Sequence, residues 1–428
     1  MIAEFIATII AKCCDTQEQQ MQLASAGVIQ PLINLLHSGY IKAQEAALDA
    51  LSTLGRENSE LAEIIIHSKS VDSNQLTTAT MIDFVKGNSP NMRLIAATCL
   101  TNLYRSGVFS EPFTEIVLVV LPALVNLMKE ESGYVQEQAP LVLADLIKDS
   151  DDMQKAAYDA DIIPRLAELL ISVSSVENEE KEEIGVPGIG SIVMRKEKIK
   201  ENSLIALAAA TLSKEECRAQ AIDCKILPHV VSALQSKQVN VRLAACQCTK
   251  SLSRSVSSLR TSLVDVGIAS PLIKLLDDES IIVQAAACGA LCNLALDFSP
   301  MKKNVIDAGA INKFVEYSRS SDPKLQLNGI WAIKSLLHKA DLEAKKSVME
   351  VLTYNSLIEL LHEPKPEVQE QALEVVRNLI CGQLEDVEYV MNGIGKEDLL
   401  DVLENKLQVG SNMDIEGVDN DSDIAVCT

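Results

Sequence analysis

Gly267-Ile-Ala-Ser-Pro-Leu-Ile-Lys-Leu-Leu276, then the polar turn Asp277 to Ser280, then the Ala- and Leu-rich run Val283 to Leu294: this passage decides the fold. A Gly opens it, a Pro sits early in a short apolar stretch, and Leu-Leu closes that stretch. The run that follows places apolar residues three and four apart, the period of a helix with a buried stripe. The passage reads as a short helix, a turn and a longer helix.

The same phrase recurs along the chain. Its copies are Ala26-Gly-Val-Ile-Gln-Pro-Leu-Ile-Asn-Leu-Leu36, Val120-Leu-Pro-Ala-Leu-Val-Asn-Leu-Met128 and Asp161-Ile-Ile-Pro-Arg-Leu-Ala-Glu-Leu-Leu170. Further copies are Ile226-Leu-Pro-His-Val-Val-Ser-Ala-Leu234 and Gly309-Ala-Ile-Asn-Lys-Phe-Val-Glu-Tyr317, with weaker ones near Met81 and Tyr354. The spacings Pro122 to Pro164 and Pro228 to Pro271 give a period of about 42 residues, within the armadillo and HEAT range. Gly27, Gly267 and Gly309 suit a sharp left-handed turn between helices. That turn, with the Ala-Leu-x-Asn-Leu ending at Ala290 to Leu294, favours armadillo over HEAT. The expected fold is all-α: a right-handed armadillo superhelix of about eight repeats with a concave groove.

Composition agrees with this reading. The 428 residues exceed what one compact core usually holds. Hydrophobic residues make up 47% while aromatics make up 3%, which suits close-packed helices better than strands. A formal net charge of -22 argues against nucleic acid as a partner, because phosphate binding needs a basic surface. No apolar run approaches the length of a membrane helix, and Met1-Ile-Ala-Glu-Phe lacks the basic region of a signal peptide. Cytoplasm and nucleus are the expected locations. In those compartments the 11 cysteines are expected to pack as small apolar residues.

The array is expected over 1–407, with an incomplete first repeat, a loop insertion at about 172–199 and an acidic disordered tail over 408–428. Glu177 to Glu183 and Gly185 to Gly190 suggest the loop. Asp414, Glu416, Asp419, Asp421 and Asp423 suggest the tail. Ile2 to Lys12 reads as the last helix of a repeat whose earlier helices are missing. Such a helix exposes its apolar stacking face, at about 1.5 to 3 kcal/mol per large side chain. The ends are therefore expected to be those of a short form or a piece of a longer protein.

Catalytic chemistry finds little support in the sequence. His37, His67, His229, His338 and His362 are scattered, and no phosphate loop, nucleophile elbow or metal-ligand cluster appears. An enzyme is not expected, nor a cofactor or a metal. A stacked array instead offers area, because its last helices line up into a long surface. In armadillo proteins the Asn of the repeat ending can hydrogen-bond a bound peptide. Here that position holds Asn102, Asn293 and Asn378, but Thr53, Asp145, Thr211, Ser251 and Ser335 elsewhere. Trp331, four residues before Ser335, shares its face and is the candidate aromatic anchor, against packing between repeats as the plain alternative. Gln247, Arg254, Asn328, His338 and Gln371 join it by repeat alignment. From Cys224 to Val264 there is no Asp or Glu, so Lys250 and Arg254, four apart on one expected helix face, are the candidate basic dock for an acidic or carboxylate-bearing segment, against a solvated face that merely lacks acids as the plain alternative.

Several stretches together resemble one family: Val241-Arg-Leu-Ala-Ala, Ser251-Leu-Ser-Arg-Ser-Val-Ser-Ser-Leu-Arg-Thr-Ser262, Leu291-Cys-Asn-Leu, Phe298-Ser-Pro300, Asn328-Gly-Ile-Trp-Ala332 and Cys13-Cys14. They are similar to the armadillo repeat-containing protein 8 family of CTLH (GID) ubiquitin ligase scaffolds, most closely from Val239 to Leu337. The resemblance implies a non-catalytic scaffold in proteasomal degradation. It would link a substrate-receptor subunit to a RING-containing core, and hold the receptor's carboxyl-terminal segment near Trp331. Two other readings of the same fold are a nuclear-import adaptor for basic cargo signals and an adhesion or vesicle adaptor. The broken Asn ladder and the basic segment count against the import reading.

Overall fold

The computed structural model describes residues 2–71, 74–109, 116–130, 133–175, 189–255, 257–296, 299–397, 399–401 and 404. It divides into two compact units, Met1–His229 and Val230–Thr428. Among the described residues the secondary structure is helical apart from one isolated bridge, Lys69 to Leu76.

The first unit opens with α1 (Ile2–Lys12) and continues in triplets: α2 (Gln17–Ser25), α3 (Ile29–Leu35), α4 (Ile41–Gly55), then α5 (Ser59–His67), α6 (Thr77–Val85), α7 (Pro90–Arg105). A π-helical turn, Ile116–Val120, leads into α8 (Leu121–Leu127) and α9 (Gly133–Ile147), followed by α10 (Asp151–Asp159), α11 (Ile162–Ser175), α12 (Ile189–Ala210) and α13 (Glu215–Asp223). The division between units falls in α14 (Leu227–Ala233). The second unit continues with α15 (Val239–Leu252), α16 (Ser257–Asp265), α17 (Ala269–Lys274), α18 (Ile281–Ala295), α19 (Ser299–Asp307), α20 (Ala310–Ser318) and α21 (Pro323–Leu337). It ends with α22 (Leu342–Leu352), α23 (Tyr354–Leu361), α24 (Pro366–Ile380) and α25 (Leu384–Ile394).

Local chemistry sets these boundaries. Gly27, Gly267 and Gly309 adopt φ of +81°, +74° and +71°, the left-handed turn expected of them. The long third helices start on polar caps where the sequence allows: Ser89 accepts from Met92 N, and Asp322 from Leu325 N, each followed by Pro at the first helical position. Their apolar stripes fill the core. In α18, for example, Val283, Cys288, Leu291 and Leu294 are buried.

Third helices stack on third helices. In the first unit α1 packs on α4, α4 on α7, α7 on α9 and α9 on α12; in the second α15 packs on α18, α18 on α21 and α21 on α24. α1 thus occupies the last-helix position that its sequence suggested. Its Ala7, Ile10 and Ala11 are buried, while Ile2, Phe5, Ile6 and Ile9 remain exposed.

The insertion expected over 172–199 is narrower than that. α11 runs on to Ser175 and α12 begins at Ile189, so the described part of this stretch is helix. The basic, helix-favouring run Arg195 to Lys200 carries the apolar period of α12 backwards from Leu204, which composition alone disguised. Residues 176–188 and the tail over 408–428 lie outside the described residues.

Polar side chains at two recurrent positions hold the layers in register. The fourth residue of several first helices reaches the end of a third helix. Gln20 Nε2 donates to Thr53 O (2.9 Å), Gln154 Oε1 accepts from Ser213 N (3.1 Å), Arg218 Nη1 donates to Thr211 O (3.1 Å) and Lys345 Nζ donates to Cys381 O (2.7 Å). Lys302 Nζ donates to His338 O in the same manner. Carbonyls at a helix end have no intrahelical donor, and Gln20, Arg218, Lys302 and Lys345 each supply one, whereas Gln154 accepts from a backbone N–H.

Candidate functional face

Every candidate residue belongs to the second unit, on or just beyond its third helices. Gln247, Lys250 and Ser251 lie on α15; Asn293 on α18; Asn328, Trp331 and Ser335 on α21; Gln371 and Asn378 on α24. His338 caps the end of α21. Arg254 departs from expectation: α15 ends at Leu252, so Arg254 stands in the following turn and does not share a helix face with Lys250. Ser253 and Ser255 end the helix there, their hydroxyls donating to Lys250 O and Leu252 O.

The asparagines are engaged with the protein itself. Asn293 Nδ2 donates to Lys250 O (3.2 Å), Asn328 Nδ2 to Ala285 O (2.8 Å) and Asn378 Nδ2 to Lys334 O (3.1 Å). Each bond runs from one third helix to the third helix before it. The first unit repeats the device, with Asn102 donating to Ser52 Oγ (2.8 Å) and Asn202 to Glu137 O (2.7 Å). Asn328, Ser335, Gln371, Asn378 and Ser251 are buried. The more accessible candidates are Gln247, which is exposed, and Lys250, Arg254, Asn293, Trp331 and His338, which are half-buried.

Charge gives this face its character. α15, α18 and α21 contain no Asp or Glu, although the chain carries 60 acids against 38 bases. Their cations are Arg242, Lys250, Lys324 and Lys334. Arg242 is neutralised: its Nε lies 2.7 Å from Asp278 Oδ2 and its Nη2 3.6 Å from Glu279 Oε1. The Asp278 bond holds the guanidinium above its usual range, burial opposing. The acid-free run from Cys224 to Val264 hides this pairing, because Asp278 lies 36 residues from Arg242, in the next repeat. Lys334 Nζ donates to Gln371 Oε1 (2.6 Å), tying α21 to α24. Lys250 lies across the gap left by Gly289, where its Cδ and Cε would stand 3.7 and 3.8 Å from an added Cβ. At α24 the sign changes, with Glu367, Glu370 and Glu374 on one helix.

The more accessible side chains of this face thus include the half-buried Trp331 indole and the Lys250 ammonium. Among the described residues no group of three or more His, Cys, Asp or Glu side chains could hold a metal ion, and no helix is long and apolar enough to cross a membrane.

Comparison with known proteins supports the repeat assignment. A profile of the Armadillo/beta-catenin-like repeat matches residues 16–56 and 259–296, and one of the HEAT repeat matches residues 226–256. The fold is all-α and built from armadillo-type repeats. An engineered protein solved by crystallography superposes with a TM-score of 0.69 at 22% identity, covering 93% of this chain and 90% of that one. A designed armadillo repeat protein in complex with the peptide (KR)4 gives a TM-score of 0.50 at 20% identity, covering 60% of this chain and 98% of that one. These likenesses concern the fold.

Curated relatives bear out the resemblance to the armadillo repeat-containing protein 8 family. GID complex subunit 5 of Schizosaccharomyces pombe is 30% identical over 381 residues, which cover 87% of this chain and 48% of that protein. Armadillo repeat-containing protein 8 of Danio rerio is 30% identical over 397 residues, which cover 92% of this chain and 58% of that protein. The chain spans about half the length of these curated relatives.

Proposed function

We propose that this armadillo-repeat chain is a non-catalytic scaffold of a GID/CTLH-type ubiquitin ligase, in cytoplasm and nucleus. It holds a substrate-receptor subunit on the third-helix face of its second unit and leaves catalysis to RING subunits. The observation that carries the reading is the acid-free run of α15, α18 and α21 around the half-buried Trp331, in a chain of net charge -22. A receptor segment with an aromatic or aliphatic anchor and a carboxylate fits that face, because the indole supplies apolar area and Lys250 a counter-charge. The names of the relatives at 30% identity support the complex. A basic cargo signal would meet Lys250, Lys324 and Lys334, so the import reading is disfavoured.

Affinity purification with mass spectrometry tests the proposal, on tagged wild type beside Trp331→Ala and Lys250→Glu, with circular dichroism confirming that all three are helical. Selective loss of a receptor subunit from both variants, with other ligase subunits retained, is the expected result. Unchanged partners would return Trp331 and Lys250 to packing roles, and a wild type without ligase subunits would overturn the function.

A further inference from the structure

Third helices of the second unit turn corresponding residues outward. The residues of α15 that are not buried are Val239, Asn240, Leu243, Gln247 and Lys250, and those of α21 are Pro323, Lys324, Leu327, Trp331 and Lys334. Both sets stand first, second, fifth, ninth and twelfth in their helix, one stripe at helical spacing. The same places in α24 hold Pro366, Glu367, Glu370, Glu374 and Arg377, none of them buried. The stripe of α21 thus carries two cations and no acid, while that of α24, packed against it, carries three acids and one cation.

Part of this charge is engaged within the protein. Lys334 is bonded to Gln371, and Arg377 Nη2 lies 2.8 Å from Glu374 Oε2. Lys250, Glu367 and Glu370 form no ion pair or side-chain hydrogen bond among the described residues. Between these free charges lies apolar surface, since Leu327 and Trp331, four apart, share one face of α21 and are both half-buried. α18, which packs between α15 and α21, has only Ala286 and Gly289 at its sixth and ninth places. The Lys250 stem crosses it there: Lys250 Cε and Asn328 Nδ2 lie 3.8 and 3.9 Å from the point that a Cβ on Gly289 would occupy. The ammonium of α15 is thereby brought towards α21, one turn from Trp331.

We propose that the segment held on this face changes charge along its length, which rests on the reading above that the face holds a partner segment. An Asp or Glu meets Lys250 over α18, an apolar side chain lies on Leu327 and Trp331, and a Lys or Arg meets Glu370 and Glu367 on α24. A segment of one sign would be attracted at one end and repelled at the other, so the alternation fixes register as well as partner. Two steps between helix axes, α18 to α24, span about 16 to 20 Å. An extended segment covers that in about five or six residues.

Selection of displayed random peptides on the full chain tests this. Wild type is compared with Trp331→Ala and with the combined exchange Lys250→Glu, Glu367→Lys, Glu370→Lys, all with matching thermal melts by circular dichroism. Trp331→Leu replaces the alanine variant if its melt falls. Peptides retained by wild type and lost on the Trp331 variant should carry an acid and a base about five or six residues apart, with an apolar residue between them. In fluorescence anisotropy their affinity should fall about ten-fold on the exchanged chain and return when the peptide's acid and base are swapped. Trp331-dependent peptides of a single charge sign, or ones that bind both chains equally, would overturn this inference and leave the face as a docking site. A selection that yields no Trp331-dependent peptide would overturn the docking reading along with it.

Discussion

Asn328 Nδ2 donates to Ala285 O at 2.8 Å, joining α21 to α18 through a bond that water does not reach. The residue beside it in the structure is Trp331, one turn further along the same helix. Removing the amide with Asn328→Ala forfeits a buried bond and leaves a small void, so stability should fall by about 1 to 2 kcal/mol. Urea unfolding followed by circular dichroism checks this. An unchanged midpoint would mean that the bond merely offsets the cost of burying the amide.

Two glycines of the second unit should respond oppositely to alanine. A Cβ at Gly329 would stand 2.6 Å from Ser318 N and 2.8 Å from Phe314 O, backbone atoms of α20 that cannot step aside. Gly329→Ala should therefore cost about 1 to 3 kcal/mol. A Cβ at Gly289 meets nothing closer than the flexible Lys250 side chain at 3.7 Å. Its gain in helix propensity, about 0.5 to 1 kcal/mol, should leave Gly289→Ala neutral or stabilised. Thermal midpoints of the two variants, measured side by side, decide the matter.

These contrasts show what linear pattern can convey. The recurring phrase with its Gly turn sufficed for the repeat, because hydrophobic period and a left-handed residue are properties of adjacent positions. Contacts between repeats are not. Nothing in the linear pattern pairs Arg242 with Asp278, 36 residues away, and the asparagines looked available because their acceptors belong to the preceding repeat. Nor did anything single out Gln20, Gln154, Arg218, Lys302 and Lys345, although all stand fourth in a first helix. Aligning first helices, rather than the Pro-Leu-Leu phrase alone, would have shown that recurrence of long polar side chains.

Cysteine reactivity should divide by burial. Burial pushes the Cys246 and Cys248 thiols up to about 12, and Cys288 upward likewise. Thiols held that high are almost wholly protonated at neutral pH and poor nucleophiles. Cys13 and Cys381 are exposed. Brief alkylation of the native chain at pH 7.5, read by peptide mass spectrometry, should label those two ahead of Cys246, Cys248, Cys288 and Cys292, and urea should abolish the difference.

Lys345 and Asp386 form a nearly dry ion pair, Nζ to Oδ1 3.1 Å, with side chains 1% and 8% exposed. Each partner has a second bond, Lys345 Nζ to Cys381 O and Asp386 Oδ2 from Gln383 N, both 2.7 Å. The Gln383 amide and then the Lys345 ammonium hold the Asp386 carboxyl below its usual range, against the opposing effect of burial. A carboxyl depressed on folding contributes stability that is fully present above its unfolded value, about 3.9, and is lost as pH falls through the folded one. Lys345→Met alone strands a buried carboxylate and should cost about 3 to 5 kcal/mol at neutral pH. The double variant Lys345→Met, Asp386→Leu removes both charges and should recover most of that loss. Its urea midpoint should also fall less steeply than that of wild type as pH is lowered below about 4. Parallel slopes in that window would mean that Asp386 does not couple to folding, whatever the single variant costs.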